Sequence, residues 1–189
     1  LELVKYLVES GADINTKNKN GKSILIIALE KENVELVKYF KENGAEDINS
    51  ALMSALEDGY LEMVKYLVEH VEDVNAKNMA LTTASQYGKL GVVKCLVENG
   101  ADINAKDKDG KTALIYAVEN RYLRIIEYLI EKGIDINAKY DYYLYKGNDK
   151  DGNYKGVTIL MIASMNIRIS IKTLEIFKYL IKCGADVNI

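Results

Sequence analysis

The chain has 189 residues, 49% of them apolar and 28% charged, with a formal net charge of −3. That length and apolar content suit a well-filled folded domain and exclude a disordered segment, and the longest apolar runs fall far short of the roughly 18–20 residues a membrane helix needs. The weak acidic balance argues against a nucleic-acid partner, which requires a basic face to neutralise phosphates.

The first predicted element is a helix from Leu1, with Leu3, Val4, Leu7 and Val8 on one side and Glu2, Lys5 and Glu9 on the other. Gly11 follows it, where a left-handed residue closes a last turn. The segment recurs at Val34–Gly44, Leu61–Val71, Leu90–Gly100, Leu123–Gly133 and Leu174–Gly184. Val71 replaces the closing glycine once; a β-branched residue suits a positive φ poorly, so that helix must end differently or carry strain. An Asp-Ile/Val-Asn triplet trails each copy, ending at Asn15, Asn49, Asn75, Asn104, Asn137 and Asn188, and asparagine suits a turn because it bonds nearby backbone.

Five of the six copies are preceded by a shorter helix of pattern small-x-Leu-x-x-Ala, at Ser23–Ala28, Ser50–Ala55, Met79–Ala84, Thr112–Ala117 and Thr158–Ala163. Ser or Thr at its start is an N-cap, and alanine lets neighbouring helices approach. Full copies also carry a tight turn, Lys19-Asn20-Gly21 and Lys108-Asp109-Gly110, of the kind that closes a hairpin. The unit is therefore hairpin, short helix, turn, long helix.

This pattern resembles the ankyrin repeat over essentially the whole chain. The best copy runs from Asn104 through Thr112-Ala-Leu114-Ile-Tyr-Ala117 to Gly133 and Asn137, a period of 33. Two departures stand out. The family's Thr-Pro-Leu-His signature lacks Pro and His, with Ala113 and Ile115 in their places. Its Gly-His turn is degraded to Glu32-Asn33, Gly59-Tyr60, Gly88-Lys89 and Arg121-Tyr122. The resemblance implies an all-α solenoid of helix-turn-helix units with short β-hairpin fingers.

The Asn-to-Asn spacings of 34, 26, 29, 33 and 51 place the irregularities. Two central fingers are deleted, one before Ser50 and one before Met79, leaving a notch, and the last is elongated by a Tyr-rich insertion. A single array is expected: a partial repeat 1–14, repeats 15–48, 49–74 (short), 75–103 (short), 104–136 and 137–187 (insertion at about 140–152), and the start of another at 188–189. Neither end shows the polar outer face of a terminal repeat, so further repeats or another domain are expected on at least one side. No signal peptide is seen at the start.

Other chemistry is weak. Asp107-Lys-Asp109-Gly110 and Asp149-Lys-Asp151-Gly152 lack the remaining ligands of a calcium loop and read as hairpin turns. His70, the only histidine, ends a helix as a structural or surface residue. Cys95 sits in the packing column held elsewhere by Tyr6, Tyr39, Tyr66, Tyr128 and Tyr179, and Cys183 falls on a different repeat, so no disulfide is expected. No catalytic, metal or cofactor site is expected.

What the resemblance implies is a protein-interaction module using one concave face. The fingers give Lys17, Lys19, Asn20, Lys22, Lys106, Lys108, Asp109 and Lys111. The short-helix ends give Glu30, Lys31, Glu57, Asp58, Gln86, Tyr87, Glu119, Asn120, Met165 and Asn166. Tyr142, Tyr143 and Tyr145 on the long finger offer contact area with few rotatable bonds, against the alternative that the insertion folds back and its tyrosines pack on the adjacent repeat. The expected partner is another protein, met by a monomer in the cytoplasm of the producer or of a host cell. Two alternatives remain open: a recognition arm of a larger enzyme, toxin or effector whose catalytic part lies outside this chain, and a structural spacer.

Overall fold

The computed structural model describes residues 1–146, 149–165 and 171–187, with side chains described outside 142–153. Among the described residues the fold is all-α apart from one two-stranded sheet and an isolated bridge between Lys17 and Ser23. Eleven helices are described: α1 (Glu2–Glu9), α2 (Ile24–Glu30), α3 (Val34–Glu42), α4 (Ile48–Asp58), α5 (Leu61–His70), α6 (Val74–Gln86), α7 (Leu90–Glu98), α8 (Ala113–Glu119), α9 (Leu123–Glu131), α10 (Ile159–Met165) and α11 (Ile171–Lys182). Strands β1 (Tyr140–Lys146) and β2 (Asp149–Val157) form the antiparallel pair. The chain divides into two compact units, Leu1–Ala76 and Lys77–Ile189.

Local chemistry sets the boundaries of the short helices. Ser23, Thr112 and Thr158 each accept from the backbone N–H three residues on, at 3.4 Å, and so cap α2, α8 and α10. The long helices α1, α3, α7, α9 and α11 end on Gly11, Gly44, Gly100, Gly133 and Gly184, all at positive φ. In each, the N–H after the glycine reaches back five residues, as in Ala12 to Leu7 and Ala45 to Phe40, which satisfies a last-turn carbonyl. Helix α5 ends differently: Val71 is extended at φ −81° and ψ 117°, and its side chain is buried.

Two helices start earlier than the sequence pattern places them. Ser50 and Met79 are not caps; α4 begins at Ile48 and α6 at Val74, giving 11 and 13 residues against 7 for α2 and α8. Without a finger to enter, the Asp-Ile/Val-Asn segment winds into the helix and satisfies its backbone there.

Within the first unit α2 packs on α3 and α4, and α4 on α5; Leu25, Leu29, Phe40, Leu52, Leu56 and Leu67 are fully buried. Within the second, α8 packs on α9 and α10, and α7 on α9, around Leu81, Leu96, Leu114, Ile125 and Ile126. Each such aliphatic side chain contributes about 1.5–3 kcal/mol of burial. Ala28, Ala55, Ala84 and Ala117 are buried at the short-helix contacts, where a larger side chain would hold the helices apart. Helix α1 buries none of its residues, leaving Leu3 and Leu7 exposed.

The asparagine column does more than close a local turn. Asn15 Nδ2 donates to the Gly44 carbonyl at 3.1 Å and Asn15 Oδ1 accepts from Glu46 N–H at 3.0 Å, so one side chain ties a finger base to the end of the next long helix. In the fingerless repeat that starts at α6, Asn78 Oδ1 takes over, accepting from Asp102 N–H at 2.7 Å.

The tyrosine column is only partly core. Tyr128 is buried, Tyr39, Tyr66 and Tyr179 are half-buried, and Tyr6 is 67% exposed because nothing among the described residues covers the outer face of α1. A lysine of one long helix lies over the ring of the next: Lys5 over Tyr39 at 6.0 Å, Lys38 over Tyr66 at 5.5 Å and Lys94 over Tyr128 at 5.5 Å.

Candidate functional site

The fingers are compact turns on braced bases. In the first, Asn18 Oδ1 accepts from the N–H groups of Asn20 and Lys22 at 2.9 and 3.0 Å, and Gly21 takes the positive φ that the turn needs. In the second, Asp107 Oδ1 accepts from Asp109 and Lys111 N–H, both at 2.9 Å. The other Asp107 oxygen accepts from the Tyr116 hydroxyl of α8 at 2.6 Å. These carboxylates and amides serve the turn itself, as a hairpin reading of the Asp-Lys-Asp-Gly motif requires.

Two ion pairs join finger to short helix. Lys22 pairs with Glu30 at the end of α2, and Lys111 pairs with Glu119 at the end of α8 at 2.7 Å. The second pair is the better shielded, its side chains 15% and 16% exposed against 45% and 34% for the first. The Glu30 hydrogen bond, then its charge, raises the Lys22 ammonium above its ordinary value, with Asp58 adding a smaller push. Burial first, then the bond to Asp107 and the nearby charges of Asp107, Asp109 and Glu119, hold the Tyr116 phenol far above its ordinary value.

Above these braces the tips project. Lys19 and Asn20 are exposed on the first finger, and Lys106, Lys108 and Asp109 on the second. The short-helix ends add exposed Glu57 and Asp58 in the first unit, and Gln86, Tyr87 and Asn120 in the second, with Tyr87 at 54%. Lys22, Lys111 and Glu119 are half-buried. The structure therefore sorts the sequence-derived positions into tips that meet solvent and a base that holds them. That base had a signal in the sequence, since Lys22–Glu30 and Lys111–Glu119 both span eight residues, from the end of a finger to the end of its helix.

The Tyr-rich finger is a real strand pair. Its register puts Tyr140 opposite Val157, Tyr142 opposite Tyr154, Tyr143 opposite Asn153 and Tyr145 opposite Lys150, with irregularities after Tyr140 and Leu144. Tyr140 is buried, with Lys106 Nζ 5.7 Å from its ring centre, so the finger's root packs down, while Tyr154 is 41% exposed. The side chains of Tyr142, Tyr143 and Tyr145 lie outside the described residues, as does Asn166.

His70 is exposed at the end of α5, its Nδ1 2.6 Å from the Tyr66 carbonyl oxygen. Neither Cys95 nor Cys183 is in a disulfide. Among the described residues no cluster of His, Cys, Asp or Glu is arranged to hold a metal ion, and no helix is long and apolar enough to cross a membrane.

A family model for ankyrin repeats in three copies matches residues 1–78 and again 72–140, and a model of the single ankyrin repeat matches residues 155–189. Among solved structures, the chain is similar to an ankyrin repeat domain from Acinetobacter baumannii AYE, at 25% identity and a TM-score of 0.74, over 98% of this chain and 93% of that one. No curated protein matches the sequence.

Proposed function

This chain belongs to the ankyrin-repeat family, and on that premise we propose that it is a protein-interaction module that holds its partner with finger tips and short-helix ends. Ankyrin repeats are in general such modules, and the fold is typically a non-catalytic one. The observation that carries the reading is the braced finger: Lys106, Lys108 and Asp109 stand exposed above a base fixed by Asp107–Tyr116 and Lys111–Glu119. Side chains presented from a pre-ordered loop lose less entropy on association.

The tips assign the roles. Lysines at 19, 106 and 108 steer an acidic partner surface and raise the association rate. Tyr87, with Tyr142, Tyr143 and Tyr145 on the long finger, supplies the aromatic anchors in which interface affinity concentrates. The partner is a protein, met by a monomer of this chain in the cytoplasm of the producer or of a host.

The test is affinity capture from native-host lysate, comparing the intact chain with a triple Tyr142→Ala, Tyr143→Ala, Tyr145→Ala variant and a double Lys106→Glu, Lys108→Glu variant. Specific recovery by the intact chain, reduced about tenfold or more in both variants, is expected. Unchanged recovery by the triple variant removes the long finger from the surface. Unchanged recovery by both variants overturns the assignment of the face.

A further inference from the structure

A groove of about 460 Å³ opens in the second unit, away from the fingers. Helix α8 runs from the second finger to the turn at Arg121, and the groove lies at that turn. Its floor is apolar, from Leu90, Leu123 and Ile125. The Tyr122 ring lies against the bare backbone of Gly88, where an added Cβ would come within 2.7 Å of the ring. The rim carries Arg121, Arg124 and Lys172 against a single carboxylate, Glu175.

Three observations give this rim a direction. It gathers positive charge on a chain whose net charge is −3. The chain has 25 basic residues, of which only Arg121, Arg124 and Arg168 are arginines, and two of these three border this groove. Arginine's planar fork matches a carboxylate in a way lysine's point charge does not. Helix α9 also begins in the groove wall, and its N-cap Tyr122 supplies no capping oxygen, so the positive end of the helix dipole adds to the rim.

The first unit shows that the fold does not demand this charge. Its corresponding turn forms a groove of about 290 Å³ beside Tyr60, Leu61 and Met63, bordered by Glu32 and Glu62. The architecture repeats, a tyrosine beside an αL residue over an apolar floor, while the sign of the rim is reversed.

We propose that the Tyr122 groove binds a protein segment in which an apolar side chain is flanked by a carboxylate. The floor takes the apolar group and Arg124 with Lys172 takes the acid. The exposed rim fits a passing segment of chain, since a small-molecule site encloses most of its ligand. This surface is distinct from the finger face and does not depend on it.

The test is an NMR titration of the full ¹⁵N-labelled chain with three probes: acetyl-Glu-Leu-Phe-Glu-amide, its Gln-for-Glu counterpart, and phenylacetate. The acidic peptide is expected to shift the amides of Gly88, Tyr122 and Leu123 and to leave Tyr60 and Leu61 unmoved. The Gln peptide is expected to bind about tenfold more weakly, as is the acidic peptide to an Arg124→Gln, Lys172→Gln double variant whose remaining spectrum is unchanged. Both side chains are exposed, so that variant keeps the core intact. Equal binding of the two peptides, shifts confined to 106–111, no shift at Gly88–Leu123 with millimolar peptide, or phenylacetate binding as tightly as the acidic peptide would each overturn the proposal.

Discussion

Asn137 and Asp186 stand 49 residues apart, yet the Asp186 N–H donates to Asn137 Oδ1 at 2.8 Å, while Asn137 Nδ2 donates to the Gly184 carbonyl at 3.0 Å. The arrangement repeats that of Asn15 with Glu46 and Gly44. Asn137→Ala removes both bonds and is expected to lower stability by about 1–2 kcal/mol. Asn137→Asp keeps an acceptor, loses the donor and should fall between. Urea unfolding curves of the three proteins give the order, and faster hydrogen exchange at Asp186 N–H locates the effect.

The two finger ion pairs are expected to differ in worth. Glu119→Gln disrupts the shielded pair with Lys111 and should cost about 1 kcal/mol, because water compensates poorly there. Glu30→Gln disrupts a more exposed pair and should be close to neutral. Thermal melts at low and high salt separate them: the Glu119 effect persists in salt and any Glu30 effect fades. Equal costs would show that the difference in shielding carries no energy.

Glu32 occupies the turn between α2 and α3 at φ +53°, a conformation that costs a residue with a Cβ about 1–2 kcal/mol. Gly59 and Gly88 meet the same need in the following repeats, at φ +85° and +72°. Glu32→Gly is therefore expected to stabilise the chain by about 0.5–1 kcal/mol, once the added freedom of the unfolded chain is subtracted. A rise in the urea midpoint with an unchanged slope checks it.

Asp47 precedes α4, and its carboxyl is held below the ordinary carboxylate value, first by the Ser50 hydroxyl, then by Ser23 and the Lys17 ammonium. A depressed folded value means its contribution is present above the unfolded value of about 3.9 and disappears as pH falls through the folded one. Asp47→Asn is expected to lower Tm by about 1–2 °C at pH 7, a small effect because the amide keeps an acceptor oxygen for the Ser50 and Ser23 hydroxyls. The gap between the two proteins should narrow steadily below pH 4. A gap that is constant from pH 7 to pH 2.5 would assign the effect to shape instead of charge.

The readable parts of the fold were those coded locally. Gly11, Gly44, Gly100, Gly133 and Gly184 announce helix ends because a left-handed residue closes the turn that precedes it, and all five take positive φ. The missing fingers were legible as spacing. The early starts of α4 and α6 were not, because a pattern aligned on Ser50 and Met79 cannot say what Asp47 and Asp73 do once the hairpin between is gone. In the sequence the asparagine column signals only local turn chemistry. Its partners lie in the next repeat, and nothing within a turn of Asn15 or Asn137 points to them. At the candidate surface, residue type found the exposed tips and the recurring eight-residue spacing marks the Lys22–Glu30 and Lys111–Glu119 pairs, whereas the Asp107–Tyr116 brace occurs in one finger only and needed coordinates to become visible.

The asparagine tie has a consequence for how such a chain can change. From Asn15 to Glu46 it closes over 31 residues and from Asn137 to Asp186 over 49, on equivalent partner atoms. The contour between its ends is thus a free variable. Peptide spliced into the β1–β2 hairpin is therefore expected to leave the frame below in place, since lengthening a closed loop costs only logarithmically in entropy. A foreign epitope grafted there would be carried on a scaffold whose geometry does not register its length.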